Sequence, residues 1–361
     1  MNSENATFII AEAGVNHNGS PDMALRLVDV AAEAGANAVK FQTFRAEQMV
    51  SRRAPKAEYQ TRTTASTESQ FEMIRRLELS ETDHEALIAH AKSRKIAFLS
   101  TPFDVPSLDL LTRRFGLETI KIPSGEITNA PLLLAIARSA RRTILSTGMS
   151  TLGEVEAALG VLAFGFSESA SATPGREAFV RAFASAAGQQ NLRDRVTLLH
   201  CTTEYPAPFD EVNLRAMDTL AAAFALPVGY SDHTPGIHIA VAAVARGARV
   251  IEKHYTLDRN LPGPDHMASL EPDELRQMVS AIRDVELALG DGVKQPSPSE
   301  WKNRDVARKS LVAARAIAAG ETFSAENVAC KRPGTGRSPM DYWSVLGTKS
   351  DAPCEPDEGI R

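Results

Sequence analysis

Eight short runs rich in Val, Ile, Leu, Phe and Thr recur through the first 255 residues, and most are followed by an Ala/Leu-rich stretch with helical spacing. No other feature limits the possible folds as much. The runs are FIIAEA (8–13), AVKFQT (38–43), IAFLST (96–101), TIKIPS (119–124), TILST (143–147), VTLLHC (196–201), PVGYSD (227–232) and VIEKHY (250–255). Each is apolar on both faces for several residues, as strands of a covered parallel sheet are, whereas half-exposed antiparallel strands would alternate more cleanly. Eight β/α alternations in residues 1–290 predict an α/β chain closed into a parallel (β/α)8 barrel. An open, doubly wound sheet is the alternative.

Two segments break the rhythm. Residues 45–80 form a long polar excursion after the second run, suited to a lid or binding loop at the C-terminal face. Residues 165–193, rich in Ala and Ser, read as an insertion without an assigned function. Beyond Gly290 the pattern changes. Residues 291–305 are polar with two prolines and read as a linker, and residues 306–361 carry short strand-like pieces and turns. A module that small buries little by itself and is expected to dock on something.

Forty Lys and Arg against 45 Asp and Glu give a net charge of −5, which argues against a nucleic-acid surface or a polybasic membrane patch. The three cysteines, Cys201, Cys330 and Cys354, are too scattered for a disulfide framework or a thiolate zinc site. The N-terminal residues lack the basic start and long apolar stretch of a signal peptide, and no run is long enough to span a bilayer. A cytoplasmic location is expected.

In a barrel, the C-terminal strand ends carry the chemistry. Those ends are strongly polar here: Glu12; Lys40 and Gln42; Thr101; Lys121, Ser124 and Glu126; Ser146 and Thr147; Thr202, Thr203 and Tyr205; Ser231, Asp232 and His233; Lys253 and His254. A lone lysine in a strand is more often half of an ion pair at the barrel mouth than a ligand holder. Several together, with hydroxyls and the glycine-flanked turns IPSGE and LSTGM, suit a phosphate or carboxylate. Neither a GxGxxG nor a Walker-type loop is present, which disfavours a nucleotide. His233 and His254 end neighbouring strands, roughly 4.8 Å apart, so their imidazoles can share a divalent ion or serve as satisfied polar residues. Two nitrogens without thiolate indicate an open, catalytic site. Asp265, between Pro/Gly turns after the last run, is placed to bind hydroxyls.

The strings FIIAEAGVNHNGS, AVKFQTF, APKAEYQ, FLSTPFD, KIPSGEITN, ILSTGM, LLHCTTEYPAPFDEVNL, VGYSDHT, IEKHYTLDRNLPGPDHMASLEP and KRPGTGRSPM stand in an order and spacing that resembles the sialic acid synthase family across nearly the whole chain. The resemblance implies a TIM barrel followed by a small β-rich antifreeze-like (SAF) domain. It also implies a domain-swapped homodimer whose small domain covers the partner's barrel mouth. The implied reaction is metal-dependent condensation of phosphoenolpyruvate with an N-acylated mannosamine-type sugar, with release of phosphate. The implied metal is manganese, with magnesium or cobalt as alternatives, on His233 and His254. Lys40, Thr101, Lys121, Ser124, Ser146 and Ser231 match phosphoenolpyruvate contacts. Glu12, Gln42, Thr203, Tyr205 and Asp265 match the sugar side, Glu126 a proton-transfer group, and Arg332 a residue reaching across the dimer to the sugar N-acyl group. Thr203 stands where some members carry Asn. KIPSGEITN with CTTEYPAPF resembles the legionaminic acid synthase branch somewhat more than the N-acetylneuraminate branch. A catalytically inactive carbohydrate-binding scaffold and a Schiff-base aldolase acting through Lys121 or Lys40 are the competing classes.

Overall fold

The structure, a computed structural model, describes residues 6–56 and 68–360. The eight runs become β1 (Phe8–Gly14), β2 (Ala38–Thr43), β3 (Ala97–Pro102), β4 (Thr119–Ile122), β5 (Arg142–Ser146), β6 (Val196–Cys201), β7 (Val228–Asp232) and β8 (Val250–His254). Their ladder order is β3-β2-β1-β8-β7-β6-β5-β4, and β3 lies beside β4. The first strand pairs in parallel with the last, from Phe8 opposite Val250 to Glu12 opposite His254. Sequential order with that pairing belongs to a (β/α)8 barrel and rules out the doubly wound alternative.

Side chains alternate along a strand, so every second residue points into the barrel. Ile10, Ala38, Leu99, Ile144, Leu199 and Val250 form an apolar cluster of their own, one residue from each of six strands. Two residues further along those strands stand Glu12, Lys40, Thr101, Ser146, Cys201 and Glu252, all buried. On β7 the matching pair is Gly229 and Ser231. A Cβ on Gly229 would lie 2.3 Å from the carbonyl oxygen of Val250 and 2.7 Å from Leu199 Cδ2, so only glycine fits this packed layer. A hydrophobic layer thus fills the barrel below a polar one.

The outward faces of the strands bury Ile9, Val39, Leu145, Leu198 and Ile251 against helix residues such as Leu27, Leu87, Leu132, Ile136 and Leu159. Ser20, Ser80 and Thr151 cap helices starting at Pro21, Glu81 and Leu152, the last two through capping boxes. Such caps contribute about 1 kcal/mol each.

The excursion read as polar carries helices Ala46–Met49 and Gln70–Arg76, while residues 57–67 of it lie outside the described residues. It is less polar than its composition suggests. Phe71, Met73, Ile74 and Leu77 join Val15, Phe44 and Ala46 in an apolar cluster separate from the main core. The stretch 165–193 folds onto the barrel's outside, with helices Arg176–Ala184 and Ala186–Arg195 and the Phe179 ring 5.3 Å from that of Phe164.

The chain divides into two compact units, Met1–Gly290 and Asp291–Arg361. The polar stretch 291–305 is not without structure, since helix Pro298–Ala307 begins within it. In the second unit β9 (Ser310–Ala313) pairs antiparallel with β10 (Val328–Lys331). Leu311, Ala313, Ile317, Phe323, Val328, Val345 and Ile360 form its small core. Among the described residues no helix is long and apolar enough to cross a membrane.

Candidate active site

Above the hydrophobic layer the barrel opens into a cavity of about 280 Å³. The alternation that fills the lower layer with apolar side chains carries their upper neighbours into this space. At its floor, Lys40 Nζ lies 2.7 Å from Glu12 Oε2 and 3.5 Å from Glu252 Oε2, and it donates to Thr101 Oγ1 at 3.1 Å. Lys121 Nζ donates to Ser146 Oγ at 2.7 Å and lies 3.6 Å from Glu252 Oε1, which also accepts from Ser231 Oγ at 2.8 Å. Glu252 therefore lies within ion-pair reach of both ammonium groups.

Burial opposes the charge on Lys40, but the carboxylates of Glu12 and Glu252 outweigh it and hold the ammonium on. Burial pulls Lys121 down, partly offset by Glu252. For Glu252 burial is overcome by Lys121, Lys40 and the Ser231 hydroxyl, which bring its carboxyl to about 2. For Glu12 burial wins over Lys40, and the carboxyl is pushed up to about 7. Asp265 rises to about 6 for the same reason. The two lysines thus face a firmly ionised Glu252 and a Glu12 able to exchange a proton near neutrality.

His233 and His254 stand at one side of the cavity with ring centroids 5.5 Å apart. His233 Nδ1 lies 2.6 Å from the Thr202 carbonyl oxygen, which can only accept, so Nδ1 carries the proton and Nε2 keeps its lone pair. Burial pushes both imidazoles below the usual histidine range, and for His254 the neighbouring His233 and Lys40 add to it. Neutral imidazole is the form that ligates metals. His254 Nδ1 is buried without a hydrogen-bond partner, 3.8 Å from Asp265 Oδ2. Among the described residues no group of three or more His, Cys, Asp or Glu is placed to hold a metal ion. Two neutral nitrogen donors, one of them orphaned, would fit a divalent ion. The Tyr205 ring packs 4.2 Å from that of His233 and 5.5 Å from that of His254.

Opposite, the turn after β5 approaches β4. The Gly148 N–H donates to Ser124 Oγ at 2.9 Å, and Ser124 Oγ lies 3.2 Å from Cys201 Sγ. A Cβ on Gly148 would come within 2.3 Å of Thr203 Oγ1, so glycine keeps the hydroxyls within reach of the cavity.

Glu12, Lys40, Gln42, Thr101, Lys121, Ser124, Ser146, Thr203, Tyr205, Ser231, His233, His254 and Asp265 all line this one cavity. Glu126 does not: its carboxylate accepts from Asn129 Nδ2 at 2.6 Å. Arg332 lies exposed after β10 in the second unit. Lys253, noted among the polar strand ends, points away and pairs with buried Asp232 at 2.9 Å. Glu252, which the sequence reading passed over, takes its place. The signal was available, because Glu252 shares its strand face with His254 and Lys253 does not.

The chain matches the NeuB family over residues 27–294 and the SAF domain over residues 308–361. It is 53% identical to an N,N'-diacetyllegionaminic acid synthase of Campylobacter jejuni subsp. jejuni serotype O:2, over 98% of this chain and 99% of that one. It is 45% identical to an N,N'-diacetyllegionaminic acid synthase of Legionella pneumophila, over 95% of this chain and 90% of the relative. Among solved structures it is similar to the N-acetylneuraminic acid (sialic acid) synthetase of Leptospira borgpetersenii, at 36% identity and a TM-score of 0.66, covering 83% of this chain and 90% of that one.

Proposed function

This chain belongs to the NeuB family, with a SAF domain after its barrel, and on that premise we propose that it condenses phosphoenolpyruvate with an N-acylated mannosamine-type sugar. The products are a nine-carbon 2-keto acid and phosphate. One observation carries this reading: two buried ammonium groups, their hydroxyl partners and two neutral imidazoles share a single cavity.

Lys40 and Lys121, with Thr101, Ser124, Ser146 and Ser231, hold the phosphate and carboxylate of phosphoenolpyruvate. His233 and His254 would hold a divalent ion, manganese first, with magnesium or cobalt as alternatives; when bound it would supply Lewis-acid polarisation of the sugar's open-chain aldehyde. Gln42, Thr203, Tyr205 and Asp265 orient the sugar so that its aldehyde carbon faces C3 of phosphoenolpyruvate. C3 forms the new carbon–carbon bond. Water then adds at C2 and gives up one proton, which balances the proton taken by the former aldehyde oxygen as it becomes a hydroxyl. The C2–O bond to phosphate breaks with both its electrons leaving on phosphate, and the second proton of that water passes to the phosphate as C2 becomes a keto group. Glu12, which burial pushes up to about 7 and which lies against Lys40 on the cavity floor, moves the first of these protons, while Asp265, raised to about 6, stands on the imidazole side. Glu126, the other candidate, ends the short helical turn Ser124–Glu126 after β4, with its carboxylate held by Asn129.

The names of the relatives at 53% and 45% identity favour 2,4-diacetamido-2,4,6-trideoxymannose as the sugar, giving legionaminate, over N-acetylmannosamine, giving N-acetylneuraminate. The family resemblance further supports a homodimer in which Arg332 of the small domain serves the neighbouring subunit's sugar, in the cytoplasm, where phosphoenolpyruvate is made.

Release of phosphate from phosphoenolpyruvate should require both an N-acyl sugar and a divalent ion; turnover that survives exhaustive chelation would remove the metal role. Burial that lowers Lys121 gives the Schiff-base reading its one support. Borohydride added with pyruvate should trap no adduct, and a trapped adduct would favour the aldolase.

A further inference from the structure

The cavity has two unlike walls. The β4 to β8 side contributes mostly polar groups, among them Ser124, Ser146, Thr203, Ser231 and both imidazoles, with Pro123, Met149 and Pro264 as its apolar members. From the β1 to β3 side, above the floor formed by Glu12, Lys40 and Thr101, come Phe44, Met49, Met73, Ile74, Leu77 and Phe103, with Gln42 as the polar exception. Most of this second wall belongs to the apolar cluster of the excursion, set apart from the barrel core. Helix Gln70–Arg76 presents Met73 and Ile74 to it, and the capping box of Ser69 and Glu72 fixes where the helix begins.

Resting on the synthase reading, we propose that the wall formed by Met49, Met73, Ile74 and Leu77 selects the sugar. It receives the C6 methyl and the 4-acetamido methyl of a 6-deoxy, 4-N-acylated aldose. With the aldehyde end of the sugar at the imidazoles, its C4 to C6 end, several bonds further along, meets the excursion residues that line the same cavity. A sugar carrying hydroxyls there sets them against thioether and alkyl groups that offer no hydrogen bond. A sugar carrying methyls exchanges water for matching apolar surface.

The test uses the full-length protein with manganese and two acceptors, 2,4-diacetamido-2,4,6-trideoxymannose and N-acetylmannosamine. One buried methyl discriminates by about 10- to 200-fold, so kcat/KM should favour the deoxy sugar by at least roughly 10-fold. Met73→Gln, close to isosteric, should shrink that ratio mainly through the sugar KM and leave the phosphoenolpyruvate KM in place. Equal use of the two sugars, or a variant that slows both alike, overturns the proposal. Saturation-transfer NMR on the unaltered protein gives a readout independent of turnover. The C6 and 4-acetamido methyls should receive the strongest saturation, and weak transfer to both overturns the wall. If neither sugar releases phosphate, the synthase reading fails, and the methyl saturation still decides whether the wall binds the deoxy end.

Discussion

On six strands the barrel interior changes character within two residues. Ile10, Ala38, Leu99, Ile144, Leu199 and Val250 pack against one another, while Glu12, Lys40, Thr101, Ser146, Cys201 and Glu252 stand directly above them. Both layers are almost free of solvent. The lower layer exchanges hydration for close packing and holds the fold together. The upper layer buries charges: pairing outweighs burial at Lys40 and Glu252, whereas burial wins at Glu12, and such a cluster is weak evidence for stability and stronger evidence for a ligand. The same strand positions the packed residue and the reactive one, so the rigidity of the first fixes the geometry of the second.

This contrast fails if substitutions in the two layers have the same consequence. The largest effect is expected at the imidazoles beside the upper layer: His233→Ala should cut phosphate release by about a thousandfold, since Lewis-acid assistance is worth several kcal/mol, with little change in melting temperature. Undiminished turnover would remove His233 from the proposed ligand set. In the lower layer Leu199→Ala should cost about 2–5 kcal/mol of stability, read by denaturant unfolding, while turnover per folded molecule holds. Loss of turnover without loss of stability would reverse the roles of the layers.

A third prediction concerns the loops beside the mouth, where burial holds His17 and His266 at about 4. Both are depressed below an unfolded value of about 6.5, so as pH falls the unfolded chain takes up protons before the folded one does. Stability is therefore complete above about pH 6.5 and declines toward pH 4, by on the order of 3 kcal/mol per histidine. The denaturation midpoint should drop between pH 7 and pH 5, and His17→Gln should flatten the drop; a midpoint independent of pH contradicts the burial account. The smallest effect is expected far from the barrel in sequence. Arg332→Ala should raise the sugar KM several-fold and leave that for phosphoenolpyruvate unchanged, and a fully active monomer in sedimentation would end the cross-subunit role.

The barrel was legible because buried parallel strands leave continuous apolar runs and because Ala/Leu-rich stretches with helical spacing stand between them. The polar mouth was legible because chemistry gathers at strand ends. Two features were harder to read. Glu252 and Lys253 are neighbours in sequence, and only strand alternation decides that the first faces the cavity while the second pairs with Asp232. The excursion looked polar because Arg, Gln, Thr and Ser outnumber its apolar residues, yet Phe71, Met73, Ile74 and Leu77 gather into one cluster once helix Gln70–Arg76 forms. Composition averages over a segment, whereas a wall is made by the few side chains that share a face.

The central claim, that the upper layer is a phosphoenolpyruvate cradle resting on a structural layer, is tested most directly by calorimetric titration of phosphoenolpyruvate into the unaltered protein and into Lys121→Met. The account predicts saturable binding by the unaltered protein and its loss in the variant, with the melting temperature of the variant close to that of the parent. Unchanged binding in a folded Lys121→Met protein would contradict it.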